Sequence, residues 1–369
     1  MEKVGTPLTM LSSGAEFDVT GGLDPEVDFM LPAPPRDADT RDSCSMWISD
    51  ETGLIGLPRM CIETMGSDWD NRGVQANIAF PDGRVLVGHG GFAPAPPKII
   101  NGKTVTLNAG PLTFEVKEPL RRWLMTFDGL ARETTVLRQM RGEQEGAPKH
   151  VRIDIDATMA APPWVNGEKA TKIGDLATAK AVGAVGGHRH EQLFRCNGCV
   201  AIEGERQITF AGTGLRIRRY GARDTGQALG LFPGHVWQSA VFPSGRAFGV
   251  LAFPPRRDGT PAYSEAFLFD DGRMIYGVVL EAAWMKTLIP HGGAVDAVIE
   301  TEAGERVRIG GRTHDTTFVP RGGSMWGDWA IHGKREIRTL PIHQGGALYS
   351  WDGEQAYGMI ERSLPDYED

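Results

Sequence analysis

The side chains best suited to chemistry are concentrated in ITFAGTGLRIRRYGARD, residues 208–224. Arg216, Arg218 and Tyr220 alternate there with Leu215, Ile217 and Arg219, the period of an extended strand, so three polar groups share one face. A guanidinium pair offers a rigid donor fork to a carboxylate or a ketone oxygen, and a tyrosine hydroxyl donates a proton or orients water. Such charge is costly to bury unpaired, so the face looks either at solvent or into a cavity that holds something polar. Asp224 closes the stretch and is the acid nearest to it in sequence. A second set follows in GHVWQSAVF, where His235, Trp237 and Ser239 fall on one strand face. Histidine titrates near working pH, and an indole beside it supplies an apolar wall and a face that stabilises a cation. Sequential strands are usually neighbours, which would join both sets into one site with His235 as general acid or base.

Other candidates have plainer readings. Asp270 and Asp271 in FLFDDGR, Asp328 between Trp326 and Trp329, and Glu361 near the end are further proton sources, Asp328 because indoles around an acid desolvate it. Trp47, Trp123 and Trp164 either pack in a core or wall a pocket between domains. Cys196 and Cys199 form CNGC after His188 and His190, a donor set that zinc accepts. The spacing is not that of a zinc finger, however, and Asn197-Gly198 reads as a hairpin turn, so no metal is assigned.

The elements that position these residues are strands. The 369 residues carry 48 glycines, and many short strands joined by tight turns absorb that excess better than long helices. Hairpins are outlined by SMWISDETGLIGLPRMCIETM, by VQANIAF and RVLVGHG around a PDG turn, and by CVAIEGERQITF. Further outlines are VWQSAVFPSGRAFGVLAF, YSEAFLFDDGRMIYGVVL, AVDAVIETEAGERVRIGG and ALYSWDGEQAYGMIERS. VRIDIDATM alternates strictly, and Asp128-Gly129 and the Gly212/Gly214 pair read as breaks between strands. Only ARETTVLRQMRGEQ and GDLATAKAVGAV permit helix, and residues 1–40 read as an irregular lead-in around the first domain. Small and polar residues between 162 and 187 suggest a linker, giving domains 1–175 and 176–369. A net charge of −8 argues against nucleic acid as a partner. Without a signal-like start or a long apolar run, the expected location is the cytoplasm and no membrane span is expected. Four cysteines are too few for a disulfide framework in a chain of this length.

The order of these motifs resembles the bacterial relatives of hydroxyneurosporene synthase (carotenoid 1,2-hydratase), the AttH-like branch of the calycins. The resemblance runs through DSCSMWISDETGLIGLPR, ANIAFPDGRVLV, Glu191-Gln192, NGCVAIEGERQITFAGTG, RIRRYGARD, GHVWQSAVFPSGRAFGV and DGEQAYGMIERS. It implies an all-β protein with two lipocalin-like (calycin) antiparallel β-barrels or half-barrels packed side by side around an apolar cavity. Arg216, Gly221, Arg223 and Asp224 match the family's RDHSWGxRD segment. Ile217, Arg218, Arg219 and Tyr220 stand where the family usually has Asp, His, Ser and Trp.

The activity this implies is that of a lyase, hydratase or isomerase without a cofactor, acting on a hydrophobic small molecule with a polar or acidic group. Tyr220, His235 and Asp224 are the candidate catalytic residues. Arg216, Arg218, Trp237, Ser239 and Trp47 are the candidate substrate contacts. The alternative is a non-catalytic carrier or sensor of apolar ligands.

Overall fold

Alternating apolar and polar residues dictate extended segments, and the computed structural model assembles them into two antiparallel barrels. It describes residues 17–143, 145–167, 188–222, 234–254, 263–319 and 342–363. Among these, the first group of strands is β1 (Thr40–Asp50), β2 (Gly56–Glu63), β3 (Arg72–Ala79), β4 (Arg84–Phe92), β5 (Ile99–Ile100), β6 (Lys103–Thr104) and β7 (Thr106–Ala109). It continues with β8 (Leu112–Glu118), β9 (Arg122–Thr135), β10 (Pro148–Met159), β11 (Trp164–Val165), β12 (His188–Ile202) and β13 (Ile208–Ala222). The second group is β14 (Val236–Val241), β15 (Ala247–Phe253), β16 (Tyr263–Asp270), β17 (Arg273–Glu281), β18 (Ala297–Thr301), β19 (Arg306–Val319), β20 (Ile342–Trp351) and β21 (Glu354–Ser363).

Pairing in the first group runs β1, β2, β3, β4, β9, β10, β12, β13 and returns to β1, which makes a ring. β7 and β8 extend from β9, and β11 attaches to β12. The second group closes in simple chain order from β14 to β21. The all-β class expected from the strand rhythm, and the paired barrels that the resemblance implies, are found.

The sequence division at 175/176 meets a different division in hydrogen bonding. Residues 168–187 lie outside the described set, but β12 and β13 beyond them complete the first ring, and the second ring starts only at Val236. Composition marks a loop; only strand pairing assigns the next strand to a sheet.

Three expected breaks are not breaks. Asp128-Gly129 lies inside β9, Asn197-Gly198 inside β12, and Gly212 and Gly214 inside an uninterrupted β13. The β13 glycines serve close approach: a Cβ on Gly214 would sit 2.2 Å from the Trp47 carbonyl oxygen, and one on Gly212 would sit 2.7 Å from that of Ser49. The expected helix shrinks to α1 (Val136–Met140), capped by the Thr135 hydroxyl. None of the described helices is long and apolar enough to cross a membrane.

Side-chain parity distributes the core. Even-numbered β1 residues Cys44, Met46 and Ile48 fill the first barrel with Val74, Ile78, Phe114, Trp123, Phe127, Ile153 and Phe194. Val236, Phe248, Val250, Ile299, Tyr349 and Ile360 fill the second. The outer faces of both barrels meet in a third apolar layer of Trp47, Trp164, Leu193, Leu215, Ile217, Trp237, Leu251, Phe267 and Met359.

Candidate functional site

β13 turns its two faces to two different places. Arg216 and Arg218 are buried inside the first barrel, and Tyr220 sits half-buried at the same rim. Leu215, Ile217 and Arg219 face the seam between barrels instead. β14 turns His235, Trp237 and Ser239 toward that seam, as their spacing requires. β13 pairs with β12 and β1, and β14 with β15 and β21, so the two strands belong to different sheets. The single combined site expected from sequence is therefore not assembled. Adjacency in the chain does not fix which face of a strand meets its neighbour, and here the arginine face and the histidine face are separated by the barrel wall.

Inside the first barrel the arginines are paired. Asp28, delivered by a 3-10 turn over Pro25–Asp28, accepts from Arg216 Nη1 at 2.7 Å and Nη2 at 3.2 Å, from Trp123 Nε1 at 2.9 Å and from the Leu120 amide at 2.6 Å. His190 Nε2 lies 3.2 Å from the same carboxylate. Burial opposes that charge, but Arg216 and His190 outweigh it and hold Asp28 far below the usual carboxylate range. Arg218 pairs with Asp42 at 2.5 Å and donates to the Phe29 carbonyl at 2.7 Å. Tyr220 stacks on His188 and lies beside Arg218. These groups fasten the N-terminal lead-in across the barrel end.

The seam holds a second and larger ionic network. Glu63 on β2 receives Arg41, Arg219 at 2.7 Å and Arg59 at 3.3 Å. Arg59 also reaches Glu361 of the second barrel at 3.1 Å, and its guanidinium lies over Trp47, 5.3 Å from the ring centroid. Glu361 Oε1 accepts from His235 Nε2 at 3.1 Å, and His235 Nδ1 contacts Ser363 Oγ at 2.9 Å. Burial raises both carboxyls, but the cations around Glu63 and the Arg59, His235 and Gln344 partners of Glu361 more than offset it, so both stay ionised, Glu361 with a pKa lowered to about 2. Arg219 shows the cost of crowding: burial and Arg41 lower it to about 9 despite Glu63.

Arg59 is also conformationally unusual. Its φ of 66° is left-handed in a non-glycine residue, and it sits where the β1–β2 and β2–β3 registers shift. Strain of this kind persists where surrounding contacts fix it, and such positions cluster at functional sites.

Next to this network lies an acid of the opposite character. Glu191 on β12 accepts from Trp237 Nε1 at 2.8 Å and pairs with Arg189 at 2.5 Å. Burial nonetheless dominates over Arg189 and raises its pKa above the ordinary glutamate value. Trp47 and Trp237 meet edge to face at 4.8 Å, and Arg189 stacks on Trp237. Trp47 Nε1 and Ser239 Oγ are buried without a hydrogen-bond partner among the described residues. The seam thus combines a carboxyl biased toward its protonated form, ionised carboxylates, two indoles and unsatisfied polar atoms, an inventory suited to proton transfer beside an apolar surface.

The remaining sequence candidates distribute as follows. Trp47 and Trp164 are in the seam, whereas Trp123 is inside the first barrel. Asp270 and Asp271 are exposed at the β16–β17 turn. Asp224, Asp328, Trp326 and Trp329 lie outside the described residues. Cys196 points into the first barrel and Cys199, three residues on in the strand, to its other face. No group of three or more His, Cys, Asp and Glu residues placed to hold a metal occurs among the described residues.

Sequence reading missed Arg59, Glu63 and Arg219, and used Glu191 only as a motif letter. Arg59, Cys61 and Glu63 do alternate in LPRMCIE, and that polar stripe opposite Met60 and Ile62 was the available signal.

Solved structures place this architecture among known folds. An AttH-like protein from Nitrosomonas europaea is 14% identical with a TM-score of 0.50, over 88% of this chain and 92% of that one. CghA, solved with Sch210972, is 11% identical with a TM-score of 0.50, over 95% of this chain and 98% of that one. Kievitone hydratase from Nectria haematococca is 10% identical with a TM-score of 0.43, over 92% of this chain and 94% of that one. For the first two, at these identities, the likeness is one of fold. No curated protein matches the chain by sequence. The model of the DUF7064 family, a domain of unknown function, matches residues 24–365, and the chain belongs to that family.

Proposed function

We propose that the protein is a cofactor-independent lyase of the hydratase or isomerase type, acting at the seam between the barrels on a hydrophobic small molecule with a polar or acidic group. The observation that carries this reading is Glu191: a buried carboxyl with a raised pKa, fixed by Trp237 Nε1 beside the Trp47–Trp237 pair. Adding water to, or removing it from, an alkene or alcohol needs such an acid, and an indole face stabilises the cation that develops. In this reading Glu191 delivers the proton and the Glu361–His235 pair takes the compensating proton from water. Arg59 and Arg219 attract the acidic group, and Trp47, Trp237 and Ser239 contact the substrate. Tyr220, Arg216 and Arg218 hold the barrel end instead. The sequence resemblance to the AttH-like calycins supports the same reaction class.

The test begins with the compound that co-purifies with the protein, identified by mass spectrometry and returned to the protein in H2¹⁸O. A hydratase installs the label in the product or washes it into the alcohol. Glu191→Gln should lower turnover about 10²- to 10⁴-fold. It should also remove the limb on which activity falls as pH rises, because the working form is the protonated one. Binding of that compound with no conversion by the wild-type protein would replace the enzyme with a carrier.

A further inference from the structure

A cleft of about 390 Å³ opens on the outer face of the first barrel, beside the seam, lined by Val87, His89, Arg132, Gln139, Glu143 and Glu145. His89 is exposed to it, and its ring is tied to the second barrel by a chain of side-chain amides. Gln344 Nε2 donates to Glu361 Oε2 at 2.8 Å, and Asn77 Nδ2 donates to Gln344 Oε1 at 3.2 Å. Asn77 Oδ1 then meets His89 Nε2 at 2.9 Å.

The direction of this chain is fixed at its far end. An ionised carboxylate only accepts, so Gln344 must present its NH₂ to Glu361 and its carbonyl to Asn77. Gln75 Nε2 fits that orientation, donating to the same carbonyl at 2.6 Å. Asn77 must therefore present its NH₂ to Gln344 and its carbonyl to His89. A carbonyl takes a hydrogen, so His89 Nε2 carries the proton and Nδ1 keeps a bare lone pair. No partner for Nδ1 occurs among the described residues. Desolvation on the side of the ring turned to the protein, and secondarily the Arg59 charge, lower the His89 pKa, although the side chain is exposed to the cleft. So weak a base accepts a hydrogen bond rather than a proton.

We propose that this cleft is a second ligand site, in which Nδ1 of His89 accepts a hydrogen bond from a neutral small molecule carrying a hydroxyl on an apolar frame. Val87 supplies the apolar contact. The charged groups lining the cleft are Arg132, Glu143 and Glu145, and Arg59 acts on the ring electrostatically. The amide chain makes the site answerable to Glu361, so its occupancy is coupled to the seam whether or not the seam is catalytic.

Long-range ¹H–¹⁵N NMR of the full-length protein, with His89 assigned by the signal lost in His89→Gln, reads the tautomer directly. The expected result at pH 7 is protonated Nε2 and bare Nδ1; a protonated Nδ1 or a doubly protonated ring overturns the assignment. Gln344→Met cuts the chain and should release a mixture of tautomers, whereas an unchanged ring would show that the chain sets nothing. Diethyl pyrocarbonate, which acylates unprotonated imidazole, probes access. At pH 5 His89 should react faster than an ordinary exposed histidine, because its lowered pKa leaves more of it unprotonated. A protected His89 refutes an open Nδ1. Phenol, an apolar ring with one hydroxyl, should shift the Nδ1 resonance saturably in the wild type; no shift refutes the recognition role.

Discussion

Replacing Arg59 by methionine removes the cation that joins the two barrels while keeping most of the buried volume. Arg59 contacts Glu361 at 3.1 Å and Glu63 at 3.3 Å and is 1% exposed. Removing one partner of a buried ion pair costs about 3–5 kcal/mol, because the other charge stays buried without compensation. Glu63 retains Arg41 and Arg219, and Glu361 retains His235 and Gln344. The loss should therefore fall at the lower end, about 3 kcal/mol. Urea denaturation at pH 7, followed by tryptophan fluorescence, measures it as a lower midpoint at unchanged slope. Adding Glu361→Gln should restore at least about 1 kcal/mol, since an uncharged pair has no unpaired charge to bury. The acid limb should move as well. Glu361 has a folded pKa lowered to about 2, so its stabilisation is complete above about pH 4.5 and fades as pH falls toward 2. In Arg59→Met the folded pKa rises toward 4.5, so that contribution is smaller and is used up at a higher pH. A loss below about 1 kcal/mol, or a double variant as unstable as the sum of the singles, would refute the view that Arg59 ties the barrels together by charge.

Asp28→Asn leaves Arg216 buried without an anion and should cost about 3 kcal/mol, with faster proteolysis of the N-terminal lead-in as a second readout. Gly214→Ala forces β1 and β13 apart where a Cβ would sit 2.2 Å from the Trp47 carbonyl oxygen, and should lower the thermal midpoint more than any other Gly→Ala change in β13. Asp315 is buried in the seam against Gly56 and Gly346, and burial raises its pKa to about 6. A raised acid favours folding at low pH and loses that contribution as pH climbs through about 6, a swing of about 3 kcal/mol. Asp315→Asn should flatten the urea midpoint between about pH 4 and 6, the span between the unfolded and folded pKa values; an unchanged slope there would show that another group is responsible.

The strands and their faces were largely legible in the residues. Ser43, Ser45 and Trp47 against Cys44, Met46 and Ile48, or His235, Trp237 and Ser239 against Val236 and Ala240, alternate because successive side chains on a strand point opposite ways. Turn chemistry was less reliable. Asp128-Gly129 and Asn197-Gly198 fit a hairpin, yet long strands pass through both, because pairing with β10, joined at Asn197-Gly198 by pairing with β13, outweighs a local turn preference.

Residue order alone carried the all-β class and the grouping of Arg216 with Arg218, and of His235 with Trp237 and Ser239, on common strand faces; that the first pair is buried inside a barrel and the second set turned outward came from the fold. The tertiary structure alone decided that these faces look into different spaces, and that Arg219 rather than Arg216 joins the seam. It also decided that Glu361 finds Arg59 across 302 positions of chain. The physical reason is that parity is a property of one strand and is written locally, whereas which barrel wall a face meets depends on ring closure and on how two closed rings dock. Those contacts link residues far apart in sequence, and no short segment encodes them.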